Sequence, residues 1–273
     1  MTNPRINSLH RRSLTASRMK RWAGSVGLAF LLAVFGLGVC PRPAAAAGGK
    51  PTVLIALLDE TSSFVANGTK WKLSLFALQL AVKQLQPGDS FCLIGIDDHG
   101  GDPDDVRIPR TTLPAQMLRR AMVQKTLLLT LRDMKPRPTS SGYTLPNGKM
   151  KGKPFGNDVL GAVSEAQVLT NYTPSNARTR LLICSDFRDE PPTKTSGAAK
   201  KVLFPADTRL MAIFVEQGTG NPSTGLQEWQ DRITSWQTRF KAMNVICTPR
   251  DFLPPAESDP KSLTPTLQQF LAQ

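Results

Sequence analysis

The sequence predicts an α/β fold: a mainly parallel sheet with helices on both faces and one antiparallel edge strand. Three observations carry this. Segments 53–58 and 91–96, and the centre of 179–184, are consecutive apolar residues, the pattern of strands covered on both faces. Amphipathic stretches at helical spacing separate them, as an α/β layer architecture requires. Segment 106–112 instead alternates and contains Pro109, which a sheet tolerates only at an edge.

The elements follow in order. Segment 53–58 is the first strand. Segment 71–85 places Leu73, Phe76, Ala77, Leu80 and Leu85 on one helical face, and Pro87-Gly88-Asp89 stops it. Segment 91–96 is the second strand. The acidic loop 97–105 then closes a hairpin onto 106–112; its spacing does not follow the EF-hand pattern, so it reads as a solvated tip. Pro114 suits the opening of a helix that runs to about Met134. Residues 135–156 hold Pro136, Pro138, Pro146 and Pro154 and read as a loop. Loops of that length in a compact domain are usually functional or mobile. Asn157 or Asp158 caps the next helix, which carries Val159, Leu160, Val163, Ala166 and Leu169. Segments 179–184 and 210–215 are the next buried strands. Segment 226–243 is a helix whose Trp229, Ile233, Trp236 and Phe240 form a core-facing stripe. Segment 245–248 is expected as the last strand and 263–272 as the closing helix.

The chain has 273 residues, 40% hydrophobic and 20% charged, which suits one large globular domain behind a targeting segment. Its net charge of +13 is unevenly placed. Residues 1–47 hold seven Lys and Arg and no Asp or Glu, leaving 27 basic against 21 acidic residues, a net of +6, for the remainder. That remainder is too weakly basic to argue for a nucleic-acid partner, and none is expected. The first 47 residues have the three parts of a signal peptide: a basic region ending at Lys20-Arg21, an apolar run over 22–39, and Ala45-x-Ala47 after the helix-breaking Pro43. Cleavage is expected before Gly48, with Met19 as an alternative start. Arg11-Arg12 lies far from the apolar run, so the general secretory route is expected rather than the twin-arginine one. Membrane association is expected only through this segment, were it uncleaved. Residues 48–273 are then a single domain, periplasmic or extracellular.

Of four cysteines, Cys40 lies in the signal, behind a Val39 too large for a lipoprotein processing site. Cys92, Cys184 and Cys247 are odd in number and widely spaced, neither a disulfide framework nor a zinc pattern, and read as buried small hydrophobes.

Ligands of doubly covered parallel sheets bind beyond the carboxyl ends of the strands. The first strand ends there in Leu58-Asp59-Glu60-Thr61-Ser62-Ser63, and the strand over 179–184 runs into Ser185-Asp186. Asp59-x-Thr61-x-Ser63 resembles the Asp-x-Ser-x-Ser signature of von Willebrand A domains, with Thr61 in place of the first Ser. Asp186 matches the Asp that the family places after its fourth strand. The segment from Phe155 to Ala162 matches the one that carries the family's Thr, but Asn157 stands in the Thr position. The resemblance spans residues 51–250 and implies a Rossmann-like fold with a metal-ion-dependent adhesion site. Asp59, Thr61, Ser63, Asn157 and Asp186, with Asp158 as a substitute, are the ligand set it implies. Mg²⁺ fits such hard oxygens, with Mn²⁺ and Ca²⁺ as alternatives. The resemblance further implies an open coordination position filled by an acidic residue of a protein partner. Lys149, Lys151 and Lys153, in the loop before Asn157, border the site and would steer such a partner. In the family's sheet order, intervening strands separate the three cysteines.

Three functions stay open. The first is an extracytoplasmic, Mg²⁺-dependent protein-binding module of an envelope or secretion assembly. The second is a metal-dependent hydrolase. The third is a scaffold of this type that has lost its metal. Catalysis has the weaker case: His99 is the only histidine after residue 47, and neither a Walker loop, a dinucleotide fingerprint nor a nucleophile elbow is present.

Overall fold

In the computed structural model the described residues are 49–61, 64–65, 68–97, 105–136, 158–187, 202–215 and 222–273. The signal-peptide expectation therefore lies outside the described residues. So do the loop over 137–157 and the acidic tip over 98–104.

Six strands form one sheet: β1 Thr52–Asp59, β2 Ser90–Ile96, β3 Val106–Thr112, β4 Arg178–Cys184, β5 Arg209–Ile213 and β6 Phe252–Leu253. Their order is β3-β2-β1-β4-β5-β6. All neighbours are parallel except β2 and β3, so the antiparallel edge strand is where Pro109 placed it. The β2–β3 register gains a residue on β3 between Ile108 and Thr111, a bulge that takes up the proline. The chain builds outward from β1 through β2 to β3, then crosses to β4 on the other side. The switch point thus lies between the carboxyl ends of β1 and β4.

Helices α1 Gly68–Gln84, α2 Met117–Asp133 and α5 Pro260–Ala272 cover one face, against Leu54, Ala56 and Leu58 of β1. Helices α3 Val159–Thr170 and α4 Pro222–Ala242 cover the other, against Val53, Ile55 and Leu57. Alternate residues of one buried strand serve two cores, which is why β1 reads as a continuous apolar run. Among the described residues no helix is long and apolar enough to cross a membrane.

Three expectations need correction. α1 buries Trp71, Ser74, Leu75, Ala77, Leu78, Ala81 and Val82, with Leu73 and Leu80 only partly buried. It packs against the sheet and is flanked by α2 and α5, so apolar residues surround much of it and periodicity does not choose the face. α2 begins at Met117 rather than Pro114, with Gln116 as N-cap. Segment 245–248 is not a regular strand: Ile246 makes one parallel bridge to Arg209. Pro249 cannot donate to a ladder, and Thr248 and Asp251 form a capping box that turns the chain into a 3₁₀ turn over Pro249–Asp251 before β6.

Candidate metal centre

Asp59 closes β1 at the switch point and is fully buried. Its Oδ1 accepts from the Thr61 backbone N at 3.0 Å and from Thr61 Oγ1 at 2.6 Å. Its Oδ2 accepts from Ser185 Oγ, just beyond β4, at 2.8 Å. One carboxylate thus orients two hydroxyls from the loops after β1 and β4, and the Ser185 oxygen also accepts from the Phe187 N. Asp186 is buried beside it, close enough for the two carboxylates to repel. Burial, then Asp186, push the Asp59 carboxyl up to about 7, against the hydrogen bonds from Thr61 and Ser185 that favour its charged form.

The loop after β4 is held in an unusual backbone. Phe187 has φ 60°, a left-handed conformation that a bulky residue adopts only when its surroundings impose it. The imposing groups are visible. The Phe187 N donates to Ser185 Oγ at 3.0 Å, Trp236 Nε1 donates to the Phe187 carbonyl at 3.2 Å, and the ring packs edge-on against Trp236, Phe240 and Phe252. The turn that carries Ser185 and Asp186 is therefore fixed by the core of the α4 face.

Between Asp59 and Thr61, Glu60 faces the other way. Its backbone N donates to Ile96 O at 2.9 Å, and its buried carboxylate pairs with Arg107 of β3. Arg107 Nη2 also donates to Lys135 O at 2.8 Å. The Glu60 carboxylate lies over Gly95, where a Cβ would come within 2.9 Å of Oε2. A larger residue there would force the Glu60 carboxylate to shift from its place beside Arg107. The ion pair pins the first site loop to the edge strand and to the start of the long loop.

The structure thus brings together Asp59, Thr61 and Asp186. It adds Ser185, which sequence reasoning noticed only as part of a turn; no local signal distinguishes a serine that will meet Asp59 across two strands. Glu60 and Arg107 were also missed, since their pairing spans 47 positions. Asp158 is the N-cap of α3: its Oδ1 accepts from Gly161 N at 2.7 Å, and its own N donates to Asp97 O at 2.9 Å. Ser63, Asn157, Lys149, Lys151 and Lys153 lie outside the described residues. Among the described residues no group of three or more His, Cys, Asp and Glu gathers. The available oxygens are instead two carboxylates with two hydroxyls, a donor set suited to a hard divalent cation whose charge would relieve the Asp59–Asp186 repulsion.

No family model matches the chain, and no curated protein does. Solved structures do. A von Willebrand factor type A protein from Catenulispora acidiphila is 15% identical, with a TM-score of 0.43 over 82% of this chain and 42% of that one. The pilus adhesin SpaC from Lactobacillus rhamnosus GG is 9% identical, with a TM-score of 0.48 over 82% and 31%. Proximal thread matrix protein 1 from the mussel byssus, with a zinc-occupied MIDAS motif, is 11% identical, with a TM-score of 0.38 over 82% and 48%. The chain spans less than half the length of each of these. Its own strand order, its antiparallel second-to-third strand hairpin and the two acidic loops at the β1–β4 switch point give it a von Willebrand A-like fold.

Proposed function

We propose that the chain is an exported protein-binding module whose switch-point site takes a divalent cation, Mg²⁺ by the hardness of its ligands. The observation that carries the reading is the pair of buried, mutually repelling carboxylates with the Thr61 and Ser185 hydroxyls aligned on one of them. Thr61, Ser63, Ser185 and Asp186 would offer oxygens, with Asp59 orienting the hydroxyls and adding charge. When bound, the cation would supply an open position for an acidic side chain of a protein partner. Export rests on the basic, apolar and small-residue order of residues 1–47, and an envelope or secretion assembly is the setting it suits.

Calorimetry with Mg²⁺ tests the site. A ligand held only by the folded state raises the melting temperature, so Mg²⁺ raises it in the wild type and not in Asp186→Ala. Asn157→Thr keeps or strengthens the rise. The competing reading, a scaffold without metal, draws on Asn157 in the Thr position and on Asp158 being engaged as a cap. It forecasts no heat of binding at millimolar Mg²⁺ and an Asp186→Ala variant that is neutral or more stable, because the repulsion with Asp59 is gone. Because the open position takes a partner's carboxylate, the titration is repeated with a partner captured in Mg²⁺ and released by chelator.

A further inference from the structure

The amino ends of β4 and β5, at the opposite end of the strands from the candidate metal centre, carry three arginines. Arg178 and Arg180 are two residues apart on β4 and share a face. Arg209 stands in register beside Arg180 on β5. The end of α5 covers them. Arg180 is only 1% exposed; its Nε donates to Phe270 O at 3.2 Å, and its Nη1 to Thr179 O at 2.9 Å and Asp207 O at 3.1 Å. Arg178 donates to Ala272 O at 3.1 Å and Thr52 Oγ1 at 3.4 Å, while its Nε is buried without a hydrogen-bond partner. Arg209 donates to Gln273 Oε1 at 2.7 Å.

Every one of these acceptors is a neutral oxygen. Among the described residues no carboxylate forms an ion pair with any of the three. Buried charge is normally paired, and here like charges adjoin. Burial, then Arg178 and Arg209, push the Arg180 guanidinium down to about 10. The carbonyls at a helix C-terminus offset such charge by only about half an elementary unit. Beside the cluster lies a cavity of about 350 Å³, lined among others by Arg209, Arg250, Thr248, Gln269, Met211 and Phe270. Asp251 also lines it, but its Oδ2 is engaged by Thr248. Arg178, Arg180, Arg209 and Arg250 outnumber the carboxylates of Asp207 and Asp251, so the surroundings of the cavity are net positive.

We propose that this cavity binds a phosphate group, free or carried on a small organic molecule. Arg209 and Arg250 contact the oxyanion, and Arg180 and Arg178 supply positive field from behind it. Guanidinium forks suit phosphate oxygens, which they can bind in bidentate fashion. The volume lies at the lower end of small-ligand pockets, and Met211 with Phe270 offers an apolar wall to a carbon skeleton. The site is separate from the metal centre and does not depend on it.

Calorimetry and thermal-shift titrations of the purified protein with inorganic phosphate and with glycerol 3-phosphate, at fixed ionic strength, test it. Saturable binding is expected, at least tenfold weaker in Arg209→Gln and in Arg250→Gln. Tighter binding of the ester places a carbon skeleton in the cavity; equal binding identifies free phosphate. Without ligand, Arg209→Gln should melt no lower than wild type, since it removes a repelling charge. No saturable binding of either compound overturns the proposal, as does binding that both variants leave unchanged. A lowered ligand-free melting point in Arg209→Gln, with no phosphate response in the wild type, would show that the arginines serve only to hold α5.

Discussion

Asp59 is held between opposing influences. Its hydrogen bonds from Thr61 and Ser185 favour the carboxylate, while burial and Asp186 favour the acid, and the acid form gains. The linkage sign follows. An unfolded Asp titrates near 3.9 and the folded one at about 7, so the folded state holds the proton more tightly across that interval. The resulting stability is fully present below about pH 4 and is lost as the pH rises through about 7. At about 1.4 kcal/mol per pH unit this is on the order of 4 kcal/mol. Urea denaturation from pH 4.5 to 8.5 should show the decline, and Asp59→Asn should flatten it, because the amide keeps an acceptor for Thr61 and can donate to Ser185. Saturating Mg²⁺ should oppose the decline, since a cation binds the deprotonated form. An unchanged slope in Asp59→Asn would mean that other groups govern the acid limb.

At the scale of elements, α2 presents apolar residues on two sides for different reasons. Leu127 and Leu131 are buried against α1 and the sheet. Leu118 and Met122, 78% and 70% exposed, point away from them. At about 100° per residue, Leu118 lies about 180° from Leu127 around the helix. Leu131→Ala should therefore cost about 2–5 kcal/mol, through lost burial and a residual cavity. Met122→Lys and Leu118→Gln should stay within about 0.5 kcal/mol of wild type. Urea midpoints at constant m-value distinguish these, and a large loss from Met122→Lys would show that its side chain packs against something. The helix also shows why the buried face of α1 is legible only in part, with Ala77 and Leu85 buried as expected and Leu73, Phe76 and Leu80 only partly so. Both helices carry apolar residues beyond a single stripe, so the pattern reveals a helix without saying which side meets the sheet.

For the whole molecule, the strand order determines the thiol chemistry. Cys92 is on β2 and Cys184 on β4, with β1 between them; Cys247 lies beyond β5, next to the Ile246 bridge. With strands about 4.8 Å apart, each pair is separated by roughly 9.6 Å or more, beyond the limit of about 7 Å between Cα atoms for a disulfide. All three are free. Burial pushes Cys92 and Cys247 up to about 11 and Cys184 further still. Alkylation at pH 8 should be slow in the folded protein, with Cys92 and Cys184 labelled only on unfolding and the half-buried Cys247 first. Mass spectrometry that found an intramolecular disulfide would contradict the sheet order.

The sequence by itself determined the alternation of buried strands and helices, the antiparallel edge strand at Pro109, and the two loops that meet at the switch point. These are legible because burial on both faces leaves a continuous apolar run, and because a proline or an Asp after such a run has few places to go. Segment 245–248 misled for the same reason: it is apolar enough for a strand, but the Thr248–Asp251 capping box turns the chain away. Only the tertiary structure decided that Ser185 reaches Asp59, that Glu60 pairs with Arg107, that Phe187 takes a left-handed backbone, and that Arg178, Arg180 and Arg209 share a face. Each of these joins residues distant in sequence or imposes a conformation that local preference disfavours. Local patterning records whether a side chain is buried; which partner it meets is set by sheet order and strand register.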